Sequence, residues 1–244
     1  MTKRLSPGQL WSAAGPAAHT FSTDALTALP EVARRYLTRA IRPGARLASA
    51  VRLTMRGEIK LGKWRPFTAE EALHQERGFI WAASVRMSGL PIRGADRLVD
   101  GEAEMRWKML GLIPLVRASG PDIARSATGR WLAEWCWLPS AFLSAETRWE
   151  TIDATHVKAR LPAGELALAV GGDGRLESVR LRRWGNPGGG AFRELDFGAL
   201  AEEERTFAGF TIPARLRVGW HFGSERFAPE GEFFRCVIER AEFR

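Results

Sequence analysis

Ala50-Val51-Arg52-Leu53-Thr54-Met55-Arg56 alternates apolar and polar side chains, so in an extended chain Val51, Leu53 and Met55 share one face and Arg52, Thr54 and Arg56 the other. This is the period of a strand with one buried face. It recurs in Ala214-Arg215-Leu216-Arg217-Val218-Gly219-Trp220-His221-Phe222 and in Val157, Ala159 and Leu161. Further strands are predicted at about 78–88, 92–99 and 102–109, separated by Gly89-Leu90-Pro91 and by Asp100-Gly101, a strong signal for a two-residue hairpin. From Arg148 onward the chain predicts a meander over roughly 148–153, 156–162, 165–170, 175–184, 192–198, 205–208, 211–222 and 231–243. Turn residues punctuate it at Pro162-Ala163-Gly164, Gly171-Gly172-Asp173-Gly174 and Gly185-Asn186-Pro187-Gly188-Gly189-Gly190.

Two segments carry a helical period instead. Leu26, Leu29, Val32, Ala33, Tyr36, Leu37 and Ala40 recur at three and four, predicting a helix from Thr23 or Asp24 that Pro43-Gly44 stops. Gly120-Pro121-Asp122 opens a second, whose stripe Ile123, Ala127, Trp131, Leu132 and Trp135 ends before Pro139. The organisation expected is an N-terminal arm over 1–22 and one β-rich domain over 23–244 with a helical insert at about 121–145. Strands joined mostly by hairpin-length turns give an antiparallel sheet, and one this long must curl, close or split to hide its apolar face. The fold class expected is therefore mainly β with some helix (α+β), a curved antiparallel sheet or half-barrel under a helical lid.

The 244 residues are 45% hydrophobic and 26% charged, a composition that excludes disordered and fibrous classes. The net charge is +8, and 31 of the 36 basic residues are Arg. These Arg follow strand alternation and are interleaved with Glu, as in Arg175-Leu176-Glu177, without a basic tail or recognition helix. They describe a solvated sheet face, so nucleic acid is not expected as a partner, while peripheral contact with an anionic membrane stays open. The start lacks the apolar core of a secretory signal, and no apolar run approaches the ~20 residues of a membrane span; a cytoplasmic location is expected. Cys136 and Cys236 lie in no metal or redox spacing and read as buried, unpaired thiols.

Few residues suggest chemistry. His19, His74, His156 and His221 are scattered, so neither a metal site nor a cofactor is expected, and no phosphate-binding glycine motif or nucleophile elbow occurs. Glu102 and Glu104, two apart on a strand, project from one face; lining a cavity they would form an acid–base pair, and on a solvated face they would balance Arg106. His74, after Glu70 and Glu71 in a segment of no clear type, is a third weak catalytic candidate. Glu134, four after Arg130, forms an ordinary helical pair or an anchor from helix to sheet.

The ten Trp are the stronger signal. Large, rigid and amphipathic, indoles on a curved sheet facing Trp-bearing helices build either a filled core or a wide apolar cavity. In the second case the ligand-binding side chains expected are Trp81, Trp107, Trp131, Trp135, Trp220 and Phe79, and the partner is a hydrophobic small molecule or lipid.

The ordered series Leu-Pro-Glu-Val-Ala-Arg-Arg-Tyr-Leu (29–37), Gly62-Lys63-Trp64-Arg65-Pro66-Phe67-Thr68-Ala69, Gly78-Phe79-Ile80-Trp81-Ala82-Ala83, Arg130-Trp131-Leu132-Ala133-Glu134 and Trp137-Leu138-Pro139-Ser140-Ala141 resembles a bacterial domain family of unknown function over about residues 26–243. Two strand blocks around a helical insert are also similar to the LolA/LolB-type lipoprotein carriers. That resemblance implies a half-barrel that holds acyl chains under a helical lid, at the level of fold alone. Three readings remain open: binding or carrying a hydrophobic molecule or acyl chain; an enzyme (cyclase, isomerase or hydrolase) acting on a hydrophobic substrate in the same cavity; and a module that interacts through its basic face. A cavity lined only by Trp, Phe, Leu and Met favours a carrier, and a carboxylate or His inside it favours an enzyme.

Overall fold

A computed structural model of the chain describes residues 4–16, 18–87 and 89–244, so part of the expected arm (1–3 and 17) and Ser88 lie outside the described residues. Its strands are β1 (Ala50–Leu61), β2 (Lys63–His74), β3 (Gly78–Met87), β4 (Leu90–Val99), β5 (Glu102–Met109), β6 (Ile113–Ser119), β7 (Arg148–Thr151), β8 (His156–Leu161), β9 (Gly164–Val170), β10 (Leu176–Gly185), β11 (Arg193–Phe207), β12 (Phe210–Trp220) and β13 (Glu232–Phe243). They form one antiparallel sheet of thirteen strands in the order β6-β5-β4-β3-β2-β1-β13-β12-β11-β10-β9-β8-β7. Two meanders are joined at the centre where β1 pairs with β13. Hairpin chemistry fixes the registers locally: Asp100 and Gly101, at φ 53° and 83°, make the two-residue turn with both residues left-handed that suits strand twist.

This order has a consequence for the insert. β6 and β7 are the two edges of the sheet, so residues 120–147 must travel from one edge to the other. They do so across one face, as helix α3 (Pro121–Ala133; α1 and α2 are the earlier helices Pro7–Ser12 and Glu31–Ala40) followed by 3₁₀ turns at Glu134–Trp137 and Pro139–Leu143. α3 touches β4 and β5 of one wing and β9 and β10 of the other. β5 and β10 stand second and tenth in the sheet order; in a flat sheet they would be ~38 Å apart, several times the width of a helix. The sheet is therefore curled around α3, an open half-barrel with the insert and α2 on its concave side.

Some local expectations are corrected. The first helix starts later than the spacing predicts: Thr23–Leu26 is a 3₁₀ turn, and α2 begins after Pro30, whose fixed φ and missing N–H suit the residue before a helix. Residues 192–198 and 205–208 belong to one strand, β11. β2 and β6 were not predicted. Pro66, Glu70 and Glu71 are poor strand formers, and β2 exists because β1 and β3 pair with it on both sides. Its last residues Ala72, Leu73 and His74 are all buried, which hides the alternation. The cover on the outer face is α1, with a Ser6–Gln9 capping box, whose Leu10 packs on Ala72, Ile80 and Val99. β6 is an exposed edge strand carrying Ile113, Leu115 and Val116. Cys136 and Cys236 are buried and free. No helix among the described residues is long and apolar enough to cross a membrane.

Phe142 locks the insert to its surroundings. It is 1% exposed and packs against Tyr36 of α2, Trp135 of the insert and Trp149 of β7. Phe142→Ala is expected to lower unfolding free energy by about 3–5 kcal/mol in urea titrations. Leu112→Ser, at a side chain 80% exposed, is expected to leave the urea midpoint unchanged; equal effects would contradict the packing described.

Candidate functional site

Strand register carries acidic groups into the concave side. Glu71 of β2, Trp81 of β3, Asp96 of β4 and Met105 of β5 are successive cross-strand partners and form one inward row. Arg130, in the last turn of α3, meets this row. Its Nε donates to Glu134 Oε1 at 2.6 Å, and its two terminal nitrogens donate to Asp96 Oδ2 at 3.3 Å and Glu71 Oε1 at 3.2 Å. The guanidinium also lies 4.6 Å from the centre of the Phe79 ring and 5.1 Å from that of Trp81. Asp96 Oδ1 accepts from Trp107 Nε1 at 2.8 Å.

Three carboxyl groups around one arginine cannot all be ionised cheaply. Burial, reinforced by the neighbouring Glu134, holds the Glu71 carboxyl well above the usual range against the pull of Arg130. Glu71 Oε2 and Glu134 Oε2 are buried without a hydrogen-bond partner. Burial also raises Asp96, opposed by Arg130 and the Trp107 N–H. Burial disfavours the Arg130 cation, but Glu134, Glu71 and Asp96 outweigh it and hold the guanidinium protonated.

Beside this cluster lies a cavity of about 320 Å³. Its floor comes from both wings: Ile59, Trp81 and Met105 on one side, Phe197, Val218, Trp220 and Phe234 on the other. Its roof is Ile123, Ala133 and Trp137, and the β10–β11 loop adds Asn186, Pro187 and Phe192. The charged groups lining it are Glu71, Asp96, Arg130, Glu134 and Arg183. Arg183 reaches in from β10. Its Nε donates to the Ser126 carbonyl at 3.0 Å, and it lies over the rings of Phe197 and Trp220 at 4.4 and 5.0 Å. Gly129 of α3 permits this passage, since a Cβ there would sit 2.8 Å from Arg183 Cγ.

Of the expected ligand-binding side chains, Trp81 and Trp220 line the cavity. Trp107 packs against Trp81 with the rings tilted, and Phe79 lies under Arg130. Trp131 and Trp135 pack edge to face within the insert, with Trp131 Nε1 donating to the His74 carbonyl. The expected catalytic candidates lie elsewhere. Glu102 is exposed, and Glu104 accepts from Arg4 at 2.8 Å on the convex face, because Ala103 and Met105 take the inward positions of β5. His74 is buried, its Nδ1 accepts from the Glu76 N–H, and burial lowers its pKa; its ring does not line the cavity. The sequence did hold a signal for two of the missed groups: Asp96 and Arg183 occupy the apolar parity of their strands, in step with Leu98 and with Leu181. Glu71 had none, since its strand has no legible period.

Residues 19–231 match a family of unknown function, DUF6544. The chain belongs to this family. The match agrees with the resemblance drawn from the ordered motifs. No curated protein matches the chain. Among solved structures, it is similar to a Vibrio parahaemolyticus domain provisionally named an outer membrane lipoprotein-sorting protein domain (TM-score 0.45, 9% identity, 80% of this chain and 86% of that one). It is also similar to a LolA superfamily protein of Nitrosomonas europaea (0.43, 11%, 87% and 92%) and to a DUF1329 family protein of Desulfovibrio piger (0.43, 10%, 80% and 86%). Likenesses this distant bring no function with them.

The raised Glu71 carboxyl has a measurable consequence. A carboxyl whose folded pKa lies above its unfolded value of about 4.5 contributes stability that is full below that pH and lost as pH rises through the folded pKa. Glu71→Gln keeps the shape of the side chain without the titration. Urea midpoints compared at pH 5 and pH 8 are expected to fall less for this variant than for the parent chain; an equal fall would show that Glu71 does not titrate in this window.

Proposed function

We propose that the protein binds a hydrophobic small molecule or acyl chain between the concave face of the sheet and the insert, and holds it without converting it. The observation that supports this is the open volume of about 320 Å³ beneath α3, walled mainly by Trp, Phe and aliphatic side chains. It falls at the lower end of the ~300–1,000 Å³ range of small-molecule sites. At ~30 Å³ for each water-sized group, it takes roughly ten non-hydrogen atoms, one short chain rather than a multi-acyl lipid. Each of the three carboxyl groups in the cavity is engaged by Arg130, an arrangement that suits holding the roof in place.

The neutral fluorophore 1-naphthylamine, with about as many non-hydrogen atoms as the cavity takes, is expected to bind at one equivalent and to quench emission from Trp81 and Trp220. Ala199→Trp, which adds a third indole to the cavity floor, is expected to abolish that binding while circular dichroism stays unchanged. Absence of binding by the parent chain would refute the proposal.

A second reading, an enzyme acting on a hydrophobic substrate, is favoured by one feature: two neighbouring carboxyl groups at the wall of an apolar cavity, Glu71 and Glu134, can donate and accept protons. Incubation with a bacterial lipid extract, followed by mass spectrometry, separates the two. Retention of a species with unchanged mass supports binding; a product formed by the parent chain and not by Glu71→Gln supports the enzyme.

A further inference from the structure

Arg183 differs from the other guanidinium in the cavity. Arg130 has three carboxyl partners, whereas among the described residues no carboxylate lies within ion-pair distance of Arg183. Two of its five N–H donors are directed at Ser126, to the carbonyl at 3.0 Å and the hydroxyl at 3.5 Å. Its remaining neighbours are the faces of Phe197 and Trp220. Burial, with repulsion from Arg130, brings its pKa down to about 9 against the attraction of Glu134 and Asp96; at neutral pH it remains a cation. Removing a charge from water without a counter-charge is costly, and proteins ordinarily pair it. The nearby acids do not serve: Asp96, Glu134 and Glu71 are all held by Arg130.

The cavity thus has an apolar body between Trp81, Val218 and Phe234 and one unpaired cation at its side. We infer that its occupant is a single-chain amphiphile with an anionic head, a carboxylate or a phosphate, which pairs with Arg183 while its chain lies against those apolar side chains. A planar guanidinium with free N–H groups matches either head in a two-pronged contact. This inference rests on the proposal that the cavity holds a hydrophobic molecule, and adds the chemical class of its head. A purely structural alternative is that Arg183 props α3 through Ser126.

Three probes of equal chain length separate these cases: decanoate, decyl phosphate and 1-decanol, titrated by calorimetry at neutral pH into the full chain and into Arg183→Gln and Arg183→Lys. The parent chain is expected to bind at least one of the anions about tenfold or more tighter than the alcohol, the worth of a charge-assisted contact. Whichever anion wins identifies the head. Arg183→Gln is expected to lose that preference while keeping the affinity for 1-decanol, which also reports that the cavity has survived the substitution; Arg183→Lys is expected to retain part of the preference. Equal binding of anions and alcohol by the parent chain would overturn the anionic head and leave the hydrophobic cavity standing. Loss of anion and alcohol binding together in Arg183→Gln would assign Arg183 to propping α3 and overturn its role in recognition. No binding of any probe would overturn both proposals.

Discussion

The contact between Arg130 and the acids of the sheet governs how the insert sits. A segment that must cross from one sheet edge to the other could pack in many ways, since apolar surfaces slide with little penalty. A guanidinium 3.2 Å from Glu71, 3.3 Å from Asp96 and 2.6 Å from Glu134 admits far fewer. Burying these groups is expensive, and a better-packed apolar substitute could be as stable. What the cluster supplies is position: it fixes the end of α3 above the row Glu71-Trp81-Asp96-Met105. The raised Glu71 carboxyl follows from the same geometry, because burial and the neighbouring Glu134 outweigh the pull of Arg130.

With the roof fixed at that point, the aromatic side chains divide into two groups. Trp131, Trp135 and Phe142 form an edge-to-face chain that solidifies the insert, and Phe67, Trp81, Trp107 and Phe234 form a second cluster on the sheet. Between them the curled wings remain apart, and the space is lined by Trp81, Trp137 and Trp220. The tryptophan excess therefore serves both as packing and as lining. Filling and cavity are neighbouring parts of one interior.

Much of the architecture was legible from side-chain period. Alternation in Val51-Leu53-Met55 and Ala214-Leu216-Val218, the Asp100-Gly101 turn and the stripe of α2 are local signals that tertiary packing reinforces. β2 was not legible, because both faces of its C-terminal half are covered and its Pro and Glu residues mimic a loop. The site was only half legible. Trp81 and Trp220 could be named from residue type, but the decisive polar groups come from five separate elements, β2, β4, β10, α3 and the 3₁₀ turn after it, brought together by a curl that no local pattern encodes. Glu102 and Glu104 were attractive because two carboxylates shared a face; strand parity decides that this face is the convex one. The informative pattern was a charge at an apolar parity, as at Asp96 and Arg183.

The central claim is that the space beneath α3 is open rather than filled by side chains. Crystals of the full chain pressurised with xenon test this most directly, because xenon occupies apolar cavities. The account predicts an anomalous peak, or a co-purified molecule in its place, between Trp137, Val218 and Phe234. Continuous side-chain density closing that space, with no xenon and no bound molecule, would contradict it.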